Sequence, residues 1–338
     1  MTTYRARAAT ILAISVFSSA CFRKTISVPA PLPVRAPAST EELAARITAH
    51  GRIRSFSARI GLTVDDYYSA EPGKAKSYIE VNGLLRLERP EKIRLAISLP
   101  VIGSDVADMM SDGQQFRVAV FYPSDKRMFL RGSNVGQYQR KDVEGIKASA
   151  DPTLRQAGAL ANIRPQHVTD AFLIEPIPDA RSAEYFREEV IEPEPDVRPG
   201  KRGKLINRTY YVLYVLERNQ SGKLTLHRKF WFDRTQEGTP LARQQTFEGS
   251  EGALASDISY GGFFQKGDMA WPEQVTIERR RDGYSLKLHL NIDTVEVNPV
   301  LLPTTFELEN TDGLKEQNLD ELRKSGIGDP PTSTVKPK

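Results

Sequence analysis

The side chains with reactive potential are few and scattered. A single cysteine, Cys21, stands in 338 residues. No intrachain disulfide can form, so this thiol is either inert or a site of covalent modification. The four histidines, His50, His167, His227 and His289, lie far apart. They lack the H-x-x-x-H or Cys–His spacing that sets two ligands on one side of a zinc ion, and each reads as a surface or internally satisfied histidine. The chain carries no G-x-S-x-G elbow, no G-x-x-x-x-G-K-[ST] loop and no G-x-G-x-x-G, and Gly261-Gly262 falls among aromatics in a turn. Asp and Glu number 43, so a carboxylate pair assembled by folding stays open as chemistry, although no spacing singles one out. The chain is read as a non-enzyme with no catalytic residues, no metal and no cofactor.

Cys21 gains meaning from what precedes it. Tyr4-Arg5-Ala6-Arg7 is basic, residues 8–17 are apolar, and Ser18-Ser19-Ala20 supplies small residues before the cysteine. Residues 1–20 read as a signal peptide, since the apolar run is shorter than the ~20 residues of a membrane-spanning helix. The segment resembles a bacterial lipoprotein signal, although an aliphatic residue usually stands where Ser18 does. That resemblance implies cleavage after Ala20 and acylation of Cys21 with palmitate-type chains, so that the partner is a membrane reached through the Cys21 lipid. Phe22 follows in place of Asp, which by the same resemblance implies a periplasm-facing anchor in the outer membrane. An uncleaved anchor and cleavage elsewhere remain the two other readings. Residues 21–38 hold Pro29, Pro31, Pro33 and Pro37 and read as an extended tether.

The elements that would position a site are strands. In residues 78–103, Ile79, Val81, Leu85 and Leu87 share one parity and Glu80, Asn82, Arg86 and Glu88 the other, as in a half-buried strand. Arg89-Pro90-Glu91 interrupts the ladder. Ile93, Leu95, Ile97 and Leu99 resume it opposite Lys92, Arg94 and Ser98, and an apolar tip follows at Pro100-Val101-Ile102-Gly103. This succession of strand, Pro-containing turn, Arg- and Leu-rich strand and apolar tip resembles the LolA/LolB-type carriers and receptors of lipoproteins, mainly over residues 53–132.

The resemblance implies a mainly β fold, an incomplete, curved antiparallel β-barrel closed by short α-helices around an apolar cavity for acyl chains. Phe56, Ile60, Leu85, Leu95 and Ile97 are then the lipid-binding wall. Leu154, Leu160, Val168 and Phe172 sit on helices that plug the open side, and Val101 and Ile102 form the membrane contact. The implied partners are acyl chains of a lipid or lipoprotein and a periplasmic carrier protein.

Along the rest of the chain, Ser39-Thr40-Glu41-Glu42 is a capping box that starts a helix stopping at Gly51. Residues 56–64 alternate as the first strand. Asp112-Gly113 and Ser124-Asp125 mark hairpin turns, Asp151-Pro152 opens one helix and 165–172 another. The acidic run 184–196 against the basic run 198–204 reads as a solvated hairpin tip, followed by strands at 210–217, 224–233, 241–248, 254–260, 275–279 and 285–297 and a short one at Phe306 and Leu308. The spacing predicts about ten or eleven strands. Residues 39–324 are expected to form one domain, with a disordered tail at 325–338. The formal charge of +4, two units of it from Arg5 and Arg7, is weak for this length and does not indicate nucleic acid.

Two functions remain, an outer-membrane lipoprotein that binds acyl chains in lipoprotein sorting or lipid transfer, and an envelope scaffold or sensor that binds a protein partner; a hydrolase comes third. An open apolar cavity behind Phe56, Ile60, Leu85, Leu95 and Ile97 favours the first, and a filled interior the second.

Overall fold

The computed structural model describes residues 29–35, 37–67, 75–77, 80–98, 105–122, 124, 127–134, 163, 165–179, 181–196, 198, 200–201, 203–219, 221–249, 252–267 and 269–324. The expectations placed on Cys21, Val101, Ile102, Leu154 and Leu160 lie outside them. Two units are distinguished: a small one ending at Leu32 and joined by Glu192–Arg208, and a large one made of Pro33–Ile191 and Thr209–Lys338. In the small unit Ala30 and Pro31 pair in parallel with Ile206 and Asn207. Arg208 meets Glu194 at 3.1 Å, and the Asp196 carboxylate accepts from the Arg198 guanidinium.

The chain forms fourteen strands of four residues or more among the described residues: β1 Ser55–Asp66, β2 Val81–Glu88, β3 Lys92–Ser98, β4 Asp105–Asp112, β5 Gln115–Val120, β6 Met128–Ser133, β7 Ala183–Pro195, β8 Leu205–Arg218, β9 Leu224–Asp233, β10 Leu241–Glu248, β11 Ala253–Lys266, β12 Met269–Arg279, β13 Tyr284–Leu290 and β14 Lys315–Asn318. Antiparallel registers run in sequence order from β8 through β13, return to β1 through Leu288↔Leu62, and continue over β2 to β6, where β14 joins in parallel. The result is an open, curved sheet, an incomplete barrel. Register shifts at Val215/Leu216, Trp231/Phe232, Thr246/Phe247 and Ile97/Ser98 bend individual strands.

The alternation read from sequence sets the inner face. Phe56, Ala58, Ile60, Leu62 and Val64 of β1, Leu85 and Leu87 of β2, and Ile93, Leu95 and Ile97 of β3 all belong to one core. Helix α1, Thr40–His50, begins at the predicted box: Ser39 N–H donates to Glu42 Oε2 at 2.7 Å, and Glu42 N–H to Ser39 Oγ at 3.1 Å. Helix α2, Pro165–Phe172, packs against β3, β4 and β12. In sheet order β12 and β3 are four steps apart, about 19 Å if flat, whereas a helix is about 10–12 Å across. The strands must therefore wrap around α2.

Two expectations are corrected. Residues 183–195 form the strand β7 rather than a hairpin tip; the tip is confined to Asp196–Lys204, closed by Asp196 N–H to Lys204 C=O. Phe306 and Leu308 are not in a strand. Pro303–Phe306 is a 3-10 turn, and Arg94 donates to the carbonyls of Thr305 and Glu307 and Arg117 to that of Leu308, so side chains take the acceptors a ladder would use. Phe306, Leu308 and Leu314 form a second core with Met110, Ala119 and Phe129, side chains of the opposite parity from the main core. The chain then enters β14 and the short α3, Leu319–Lys324.

Candidate functional site

The inner face under α2 brings most of the expected lipid-binding residues together. Val168 and Phe172 descend from the helix into the same core as Phe56, Ile60, Leu85, Leu95 and Ile97. Phe56 is the pivot: its ring stacks on Phe172 at 5.0 Å and on Trp271 of β12 at 5.1 Å. None of these seven retains more than 3% exposure, and Phe56 and Leu85 retain none. A side chain lining an open cavity would keep accessible surface, so the interior is filled at this level.

Beside this stack the packing is looser. His50, Phe172, Ile174, Leu241, Tyr260, Phe263 and Trp271 surround an apolar pocket of about 40 Å³, room for roughly three water molecules and not for an acyl chain. A groove of about 770 Å³ is bordered by Arg59, Asn82, Ser98, Asp105, His289 and Asn291, together with Ile60 and Leu290. Its mixed polar wall is the wrong chemistry for hydrocarbon.

What holds α2 down was not visible in the pattern of strands. A helix ends with four unpaired carbonyls, and here side chains reach in from the surrounding sheet to take the acceptors at and beyond that end. Gln244 Nε2 of β10 donates to Asp170 C=O at 3.1 Å, and the Tyr260 hydroxyl of β11 to Ala171 C=O at 2.8 Å. Arg89, just after β2, donates through Nη2 to Ile174 C=O and through Nε to Ile53 C=O, both at 2.7 Å. Arg228 of β9 donates to the carbonyls of Glu175 at 2.7 Å and Pro176 at 3.1 Å. Two cations at the carboxyl end of a helix also complement its dipole. Burial lowers the pKa of both guanidinium groups and raises that of the Tyr260 hydroxyl.

The histidines divide. His167 on α2 is buried and hydrogen-bonded through Nδ1 to the Tyr284 hydroxyl, the satisfied kind. His50, the last residue of α1, is different: it is among the residues that line the pocket, and burial, with Arg89 nearby, lowers its pKa to about 4. His227 and His289 lie beside Glu217 and Glu273. Among the described residues no three His, Cys, Asp or Glu converge as metal ligands.

No family model and no curated protein matches the sequence. The chain is similar in structure to a LolA superfamily protein from Nitrosomonas europaea, at 13% identity over 78% of this chain and 97% of that one, TM-score 0.38. It is also similar to a DUF1329 family protein from Desulfovibrio piger, at 12% identity over 82% and 98%, TM-score 0.42. A domain named for outer membrane lipoprotein sorting, from Vibrio parahaemolyticus, matches at 11% identity over 80% and 96%, TM-score 0.38. At these scores the likenesses carry no argument about function.

Proposed function

We propose that this chain is an envelope lipoprotein that binds acyl chains between the inner face of its sheet and helix α2, in lipoprotein sorting or lipid transfer. The interior is filled while α2 is seated, so the observation that carries the proposal is the closure, an apolar face that is emptied when its cover lifts. An apolar face spanning β12 to β3 is covered by a helix of eight residues, whose carboxyl end is fastened by hydrogen bonds from Arg89, Arg228, Gln244 and Tyr260. Hydrogen bonds to carbonyls can be exchanged for water when the helix lifts, at a net cost of about 0.5–1.5 kcal/mol for a neutral pair and about 1.5–3 kcal/mol for one to a charged group. The apolar side chains left behind would then meet hydrocarbon. Phe56, Ile60, Leu85, Leu95 and Ile97 would form the wall, and Val168 and Phe172, with Leu154 and Leu160, the movable cover.

In this proposal acylated Cys21 holds the protein on the periplasmic side of the outer membrane and residues 21–38 give it reach. Val101 and Ile102 touch the bilayer and orient delivery, to or from a periplasmic carrier protein. Saturable binding of a fluorescent fatty-acyl probe, displaced by palmitate, tests acyl binding; absence of displaceable binding contradicts it.

The filled interior supports a second reading, a scaffold or sensor that binds a protein partner through the same fold. It gains if the chain takes up no acyl probe but retains a partner on purification from its own envelope.

A further inference from the structure

Two residues that line the pocket beside the Phe56 stack carry buried polar atoms with no hydrogen-bond partner among the described residues. Trp271 is 3% exposed, and its indole Nε1–H is buried with no hydrogen-bond partner among the described residues. His50 Nδ1, in the same lining, is buried and equally unpaired. The third polar group there, the Tyr260 hydroxyl, already donates to Ala171 C=O. Buried donors without a protein acceptor are rare in native proteins, and their partner is then a bound water or a ligand that displaces it. An indole N–H can only donate, so that partner must bring an acceptor. No lining residue carries a formal charge apart from His50, whose lowered pKa of about 4 leaves it neutral at pH 7. An uncharged acceptor atom on an apolar body is what such a wall accepts without the cost of burying an unpaired ion.

We infer that this pocket receives only the carbonyl oxygen of an ester- or amide-linked acyl chain, whose hydrocarbon lies on the inner face under α2, the oxygen accepting from Trp271 Nε1–H beside the His50 imidazole. The inference rests on the acyl-binding proposal and narrows its ligand, from any hydrocarbon to an esterified or amidated chain. Diacylglycerol groups of a phospholipid and of a lipoprotein share that carbonyl.

The test compares methyl decanoate, decanoate and undecane, near equal in length, as competitors for a fluorescent acyl probe on the full chain. Methyl decanoate is expected to displace the probe about tenfold more strongly than undecane, with decanoate weaker than its ester because no cation lines the pocket. Trp271→Phe keeps an aromatic ring to stack on Phe56 and removes the donor together with part of the ring volume, which affects ester and alkane alike, so it should shrink the ester preference to less than about threefold. In the wild type, one indole N–H proton resonance should move downfield on adding the ester and not on adding undecane, a readout that does not depend on the variant folding. Equal displacement by ester and alkane, an unmoved indole resonance, or a preference retained in Trp271→Phe overturns the inference while leaving acyl binding intact. Stronger displacement by decanoate than by its ester overturns the neutral-carbonyl assignment. Failure of all three competitors overturns the acyl-binding proposal and this inference with it.

Discussion

Leu95 is the clearest residue on which the inner face can be judged. It is 1% exposed and packs in the main core, so Leu95→Glu places an unpaired carboxylate among hydrocarbon. That class of change costs more than about 4 kcal/mol. A collapse of the thermal transition is expected, and a variant that melts like the wild type would show that Leu95 faces open space. His50 makes a finer prediction. Its pKa is about 4 in the folded chain against 6.5 ordinarily, lowered by burial first and Arg89 second. The unfolded chain therefore takes up the proton first as pH drops. Stability from this residue is complete above pH 6.5 and is lost as pH falls from 6.5 to 4, by up to ~3 kcal/mol. His50→Gln should flatten that slope in denaturant titrations across the same window; an unchanged slope assigns it to other groups.

At the scale of elements, α2 and the segment to Pro176 form a cover fastened at one end. Arg89→Leu removes the bonds to Ile174 and Ile53, each worth about 1.5–3 kcal/mol when the donor is charged. Faster amide exchange is expected in residues 170–176, with β1 to β3 still protected; loss of protection throughout would make Arg89 a general support of the fold. The strands themselves were legible because parity is a direct signal. Phe56 to Val64, and Leu85 through Ile97, alternate in sequence as they do in the sheet. The capping box was equally plain, since Ser39 and Glu42 act over three residues. β14 was not, because Lys315–Asn318 has no apolar alternation and is held by a parallel ladder to β6, a pairing of distant segments. β7 was misread for a related reason: its charges pair across the hairpin, Glu184 with Arg218 and Glu194 with Arg208.

For the whole molecule, the sequence showed which face is apolar but not how tightly it closes. Phe56, Ile60, Leu85, Leu95, Ile97, Val168 and Phe172 do come together, as the strand pattern predicted. The parts that make the place a candidate site were hidden, because Arg89, Arg228, Gln244, Tyr260, His50 and Trp271 meet across strands far apart in the chain and no local spacing announces them. The attachment to a membrane is a separate question with its own test. Cys21→Ser should move the protein from the membrane to the soluble envelope fraction, and a variant that stays with the membrane would favour an uncleaved anchor. The central claim, that the covered apolar face holds acyl chains, is tested most directly by purifying the wild-type chain from its own envelope without stripping detergent and weighing it by native mass spectrometry. The account predicts a population heavier by the mass of an acylated lipid or lipoprotein, lost on delipidation; a bare chain as the sole species would contradict it.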